Sequence, residues 1–170
     1  MLSLDGCAGG SFYINDKTAD LTRTNLVTTD DSYLVKEYVC LFISHACAPP
    51  LGDKTLYFPE YNSVCAPPDI SAFQRDPAPW QRVPRKTYRG NCLLYFYTAL
   101  PKGTKIRIER IDWFWSSDSG RTTYTMRGRL LDPKYKDAEV IISPDYFFLP
   151  NQSDDGHFHL VPWFFAKAIH

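Results

Sequence analysis

The residues best suited to chemistry are one cysteine and two histidines. Cys92 is followed late in the chain by His157 and His159. A thiol served by an imidazole becomes a nucleophile when the ring takes its proton and leaves the thiolate. His157-Phe158-His159 also puts two imidazoles on one face of a strand, where they can share a metal ion. Asp154 or Asp155 could add oxygen ligands, and His45 or His170 could close such a site. The surrounding residues weigh against both chemistries. Asn91-Cys92-Leu93-Leu94-Tyr95-Phe96-Tyr97 reads as strand, not as the helix start that would help ionise a thiol, and no oxyanion motif accompanies it. Cys92 is therefore read as a disulfide or buried cysteine. His157 and His159 are read as solvent-facing residues of an edge strand, and no metal or cofactor is expected. Glu37, Glu60, Glu109 and Glu139 have no spacing that marks a pair of catalytic carboxylates.

Charge points to a partner surface instead. Nineteen basic side chains balance nineteen acidic ones over 170 residues. A general nucleic-acid binder usually carries a basic surplus, so no nucleic-acid partner is expected. The charges are unevenly spread, however. Residues 81–110 hold eight lysines and arginines against Glu109 alone. Arg107 belongs to this group, and Arg127 and Arg129 extend it if their strand pairs with residues 104–115. Such a face suits an acidic partner protein, anionic lipid headgroups or a phosphorylated glycan. Trp113 and Trp115 alternate with Phe114 and are read as cross-strand packing. If exposed, they would mark a binding surface.

The elements that must position these residues are strands. No ten-residue segment has helical amphipathic spacing, and no apolar run approaches the ~18 residues of a membrane-spanning helix. Residues 1–32 read as an N-terminal tether, polar from residue 8 onward, with one edge strand near Phe12-Tyr13-Ile14. Residues 33–170 read as a single β-rich domain. Residues 33–43 are dense in β-branched and aromatic side chains. Residues 44–87 hold eight of the thirteen prolines and read as a long anchored loop, with a short strand at Leu56-Tyr57-Phe58 and a helical turn capped by Asp69.

From residue 92 the pattern is plainly β. Ile106 and Ile108 occupy one face, and then Ile111, Trp113 and Trp115 carry the apolar positions onward. A one-residue phase slip of this kind predicts a β-bulge near Glu109-Arg110. Inserting or deleting one residue there is expected to swap the faces of every later side chain. After a hairpin loop at residues 116–120, the return strand should point Tyr124, Met126, Gly128 and Leu130 inward, with Arg127 and Arg129 outward. Further strands are expected at residues 138–143, 146–149 and 157–165, interrupted by Pro144 and Pro162. The fold class is mainly all-β, a small SH3-like barrel or a sandwich.

The five cysteines contain no CxxC pair. Leu4-Asp5-Gly6-Cys7 resembles the lipobox of bacterial lipoproteins, with Asp5 departing from the usual pattern and no full leader before it. The resemblance implies lipidation at Cys7, hence a membrane anchor, and Ala8 after it would permit outer-membrane sorting. Cys40, Cys47, Cys65 and Cys92 then remain for two disulfides, whose connectivity the sequence leaves open. Cys47 and Cys65 each begin a Cys-Ala-Pro-Pro tetrapeptide. Reduced cysteines in a cytoplasmic protein are the alternative.

Leu100-Pro101-Lys102-Gly103-Thr104-Lys105-Ile106-Arg107-Ile108 resembles the first hairpin of bacterial SH3-like barrels. Tyr124-Thr125-Met126-Arg127-Gly128-Arg129-Leu130 looks like the paired strand in small Gram-negative lipoproteins of that type. The resemblance covers about residues 92–150 and implies a periplasmic protein, some such lipoproteins being immunity proteins against interbacterial effectors. The expected function is that of a non-enzymatic, extracytoplasmic binding protein that docks a protein partner. The alternative is a small cell-wall hydrolase using Cys92 with His157 or His159, in the chain order of some Cys-His peptidoglycan hydrolases.

Overall fold

The computed structural model describes residues 8–12, 21, 25–38, 53–59, 64–82, 85–87, 90–116, 119–135, 138–148 and 157–168. They form β1 (Ala8–Phe12), β2 (Asn25–Thr28), β3 (Ser32–Glu37), β4 (Thr55–Tyr57), α1 (Ile70–Arg75), β5 (Arg85–Thr87), β6 (Gly90–Cys92), β7 (Leu94–Leu100), β8 (Lys105–Ser116), β9 (Arg121–Leu130), β10 (Glu139–Ile142), β11 (Phe147–Phe148), β12 (His159–Leu160) and β13 (Phe165–Lys167). The architecture is mainly β. The main sheet runs β13-β2-β8-β9-β10-β4-β3-β7, and β1 also pairs with β8. This path is open: among the described residues no pairing joins β7 to β13. Two small hairpins, β5-β6 and β11-β12, stand beside it.

β8 is the axis of the sheet. It pairs with β9 along its length, while its other edge is shared. Lys105 to Arg107 face β2, and Ile111 to Trp115 face β1. The handover falls at a bulge. Ile108 lies opposite Gly128 and Arg110 opposite Arg127, so Glu109 is the extra residue. A bulge adds twist and bends its strand, which lets one long strand serve two neighbours. Ile106, Ile108 and Ile111 all remain fully buried across it. One expectation is corrected here. Because Glu109 is supernumerary, removing it leaves Ile108 and Ile111 on the same face, and only an insertion exchanges the faces.

The inward set of β9 follows the alternation, with Met126, Gly128 and Leu130 buried and Tyr124 half-buried. Gly128 is required by close approach. A Cβ there would stand 3.1 Å from the Arg107 carbonyl oxygen, Ile106 Cγ2 and Ile142 Cδ1. Gly128→Ala is therefore expected to cost roughly 1–3 kcal/mol, as overpacked cores do. A urea midpoint equal to wild type would show that β8 and β10 yield freely.

β2 comes from a stretch that reads as featureless tether, whereas β1 and β4 fall at or beside the short strands expected in the tether and in the proline-rich segment. Within the expected tether, β1 pairs with β8 and β2 lies between β13 and β8, with Leu26 fully buried. Four residues are too few to show periodicity, and β2 is held by neighbours on both sides. Within the proline-rich segment, β4 pairs antiparallel with β3 and parallel with β10. Other expectations appear as read. Asp69 caps α1, its Oδ1 accepting the Ala72 N–H at 2.7 Å. The hairpin turn before β8 has Gly103 at φ 86°. Pro144–Tyr146 and the turn at residues 162–164 break the last strands where the prolines stand.

Two apolar clusters fill the interior. The larger joins β2, β8, β9 and β10 to Phe58, Phe147, Phe158 and Phe165. The smaller packs Tyr33, Val35, Phe96 and Ala99 under Ala66 and Phe73. Tyr33 meets Phe73 and Phe96 edge to face, at centroid distances of 5.7 and 5.3 Å. A disulfide joins Cys65 to Cys92, and so ties the segment before α1 to the end of β6. Cys7, Cys40 and Cys47 lie outside the described residues, as do His45 and His170.

Candidate binding groove

The residues first considered for chemistry are not brought into a reactive arrangement. The Cys92 sulfur is bonded to Cys65, so it offers no thiolate to a hydrolase. His159 is exposed on β12 and His157 is half-buried just before it. Among the described residues, no group of three or more His, Cys, Asp or Glu side chains is arranged to hold a metal.

Arg107, Arg110, Arg127 and Arg129 are each paired with carboxylates. Arg127 Nη1 lies 2.6 Å from Asp53 Oδ2 and 3.2 Å from Glu139 Oε1, and its Nε lies 2.8 Å from Asp112 Oδ2. Arg129 donates to both oxygens of Glu109, at 2.8 and 3.1 Å. Arg107 and Arg110 reach Glu109 and Asp112 at 3.6 and 3.3 Å. The Arg129 hydrogen bonds hold the Glu109 carboxyl below the usual carboxylate range. The carboxylates around Arg127 raise its already high pKa further, led by Asp53 and Asp112. The docking expectation for Arg107, Arg127 and Arg129 rested on a local count of charges. Asp53 and Glu139 arrive from other segments, and Asp112 lies on β8 just beyond the counted stretch; with Glu109 they balance these arginines. Arg127→Ala should therefore cost roughly 1–2 kcal/mol, above the ~0.2–1 kcal/mol of an ordinary exposed pair, because it removes charge-assisted contacts to three carboxylates at once. Chemical denaturation would check this, and a loss under about 0.3 kcal/mol would mean that solvent screens the network.

Of the tryptophans, Trp113 is half-buried, while Trp115 is 38% exposed near the end of β8. Trp163, which the sequence reading passed over, is 68% exposed. It stands at the rim of an open groove of about 1680 Å³. The floor is the β3 and β4 surface around Tyr33, Val35 and Tyr57. One wall is built from residues 64–69, pinned by the disulfide and continuing into α1. The other is the turn around Asp145 and Tyr146, with Trp163 and Phe164 beside it. Thr29 fastens this second wall, its N–H donating to Phe164 O at 3.0 Å and its hydroxyl to Trp163 O.

The described lining carries five carboxylates, from Asp30, Asp31, Glu37, Asp69 and Asp145, and neither lysine nor arginine. Asp31 Oδ1 accepts the Lys102 N–H at 2.9 Å, and Asp69 is fixed by its cap bond. Both carboxylates act on the Tyr33 hydroxyl. Burial first, then Asp31 and Asp69, push its pKa up to about 12. The unfolded phenol ionises near about pH 10, so above that value the unfolded chain loses its proton first. The stability contributed by neutral Tyr33 is complete below about pH 10 and is lost as pH rises through about 12. Tyr33→Phe should flatten the alkaline fall of the unfolding midpoint, and an unchanged alkaline slope would mean that Tyr33 titrates normally. Sequence reading missed this groove because its acids and aromatics come from five separated segments. Comparison of the chain with protein-family models, curated proteins and solved structures finds no match.

Proposed function

We propose that this chain is a non-enzymatic, extracytoplasmic binding protein that docks a protein partner in the groove beneath Trp163. The observation that carries the reading is a large aromatic residue, 68% exposed, at the rim of an open groove of about 1680 Å³. Small-molecule pockets usually enclose about 300–1,000 Å³, so this groove is better matched to a segment of polypeptide. Exposed aromatics beside a concave surface are typical binding anchors. The Cys65–Cys92 disulfide supports folding in an oxidising compartment. The lipobox-like Leu4-Asp5-Gly6-Cys7 supports attachment to a bacterial outer membrane, facing the periplasm. The hairpin resemblance to small SH3-like lipoproteins points the same way, and an immunity protein that binds and inhibits an effector is the concrete version.

The test places a photo-crosslinking benzoylphenylalanine at position 163 and irradiates the protein in native cell envelope. A discrete adduct that excess wild-type protein suppresses is expected, with little adduct from the same probe at position 127. A saturable adduct at 127 and none at 163 would move the docking surface to the arginine face. No saturable adduct at either position would refute the binding reading.

A further inference from the structure

We infer that the groove receives a basic segment of the partner protein, with one lysine or arginine side chain seated against the Tyr33 hydroxyl between Asp31 and Asp69. This rests on the docking reading above and specifies the chemistry of what docks. The first argument is charge. The chain as a whole is neutral, yet the described lining of the groove holds five carboxylates and no lysine or arginine. They come from the β2-β3 connection, β3, the cap of α1 and the turn after β10, so the negative charge runs along the groove. No three of them cluster closely enough to hold a metal ion. Dispersed acids along a groove match an extended cationic chain better than a single ion.

The second argument is Tyr33 itself. Its side chain is 1% exposed and lines the groove, yet its hydroxyl makes no hydrogen bond among the described residues. The hydroxyl belongs to the groove lining, and its oxygen can accept from an ammonium or guanidinium N–H. The charges of Asp31 and Asp69 both reach this hydroxyl. They would stabilise a cation placed there, and hydrogen bonds to charged groups are the stronger kind. The aromatic faces of Tyr57 and Trp163 in the same lining add favourable surfaces for a cation or its alkyl stem.

The experiment uses the full disulfide-bonded chain and fluorescein-labelled hexa-arginine, followed by anisotropy at low and high salt. Hexa-glutamine, hexa-glutamate and spermine serve as comparison ligands. The variants are Tyr33→Phe, Asp69→Asn, Glu37→Gln and, as a distant control, Arg127→Gln. Asparagine caps helices about as well as aspartate, so Asp69→Asn removes charge while keeping α1. Hexa-arginine should bind best, and salt should weaken it. Tyr33→Phe and Asp69→Asn should each weaken it roughly tenfold, Glu37→Gln less, and Arg127→Gln hardly at all. Equal binding of hexa-glutamine and hexa-arginine would overturn the inference. So would wild-type affinity in both Tyr33→Phe and Asp69→Asn, or a preference for spermine over hexa-arginine. Glu37 is exposed on β3, so Glu37→Gln still reports on charge if another variant fails to fold. If the adduct at position 163 persists while hexa-arginine fails to bind, only the basic-segment inference falls. If that adduct is missing too, the docking reading falls with it.

Discussion

Inserting one alanine between Arg110 and Ile111 is expected to abolish the native fold, whereas deleting Glu109 should leave a folded but weakened protein. The insertion moves Ile111 from its buried place opposite Met126 into the outward place of Asp112. Asp112 then leaves its ion pairs with Arg110 and Arg127 and enters the apolar side of the strand. Trp113 and Trp115 change faces as well, and the β1 pairing with residues 111–115 is lost or slips. Burying one large apolar side chain is worth about 1.5–3 kcal/mol, and a whole domain is stable by only about 5–15 kcal/mol. Several such losses together exceed that margin. Deleting Glu109 instead restores plain alternation. It forfeits the hydrogen bonds to Arg129 and the bend at the handover from β2 to β1, for an expected cost of roughly 1–3 kcal/mol. Circular dichroism and thermal unfolding of the two variants would decide. An insertion variant with a wild-type midpoint would show that the assigned register is wrong.

Loss of the Cys65–Cys92 disulfide should have the next largest effect. The two cysteines are separated by 27 residues in sequence. Releasing a loop of that length is worth about 3.5 kcal/mol in the chain-entropy model. In a chain of this size that corresponds to a thermal shift of roughly 7–14 °C. The loop includes α1 with Phe73, and Ala66, both of which cover Tyr33 and Phe96. Loosening it should also detach the groove wall at residues 64–69. A Cys65→Ala, Cys92→Ala pair avoids burying a new hydroxyl at position 92, where the side chain is enclosed. It should lower the thermal midpoint and weaken hexa-arginine binding together. A midpoint that neither this variant nor reductant changes would mean that the loop is held by packing alone.

The features legible in the sequence are those encoded within a few residues. The bulge is readable because Ile106, Ile108 and Ile111 break a period of two at one place. The cap of α1 is readable because Asp69 precedes a short apolar run, and an aspartate side chain reaches the N–H three residues on. The inward face of β9, including Gly128, follows from simple alternation, and the turns follow from glycine and proline. These are local steric and hydrogen-bonding preferences, so they need no knowledge of what lies across the sheet.

What the tertiary structure decided is what depends on distant segments. β4 reads only as a short strand in a proline-rich stretch. Its place between β3 and β10 comes from pairing Leu56 with both Leu34 and Ile142. The arginines of β8 and β9 look like a basic surplus when counted along the chain. They are neutralised because folding brings Asp53 and Glu139 to Arg127. Cys92 sits in a readable strand, but its partner Cys65 could not be chosen from three connectivities by spacing alone. The groove is the extreme case, since Asp31, Asp69, Asp145 and Trp163 carry no shared pattern in sequence. Charge balance and concavity are sums over surfaces, and the chain acquires them only when its strands pack.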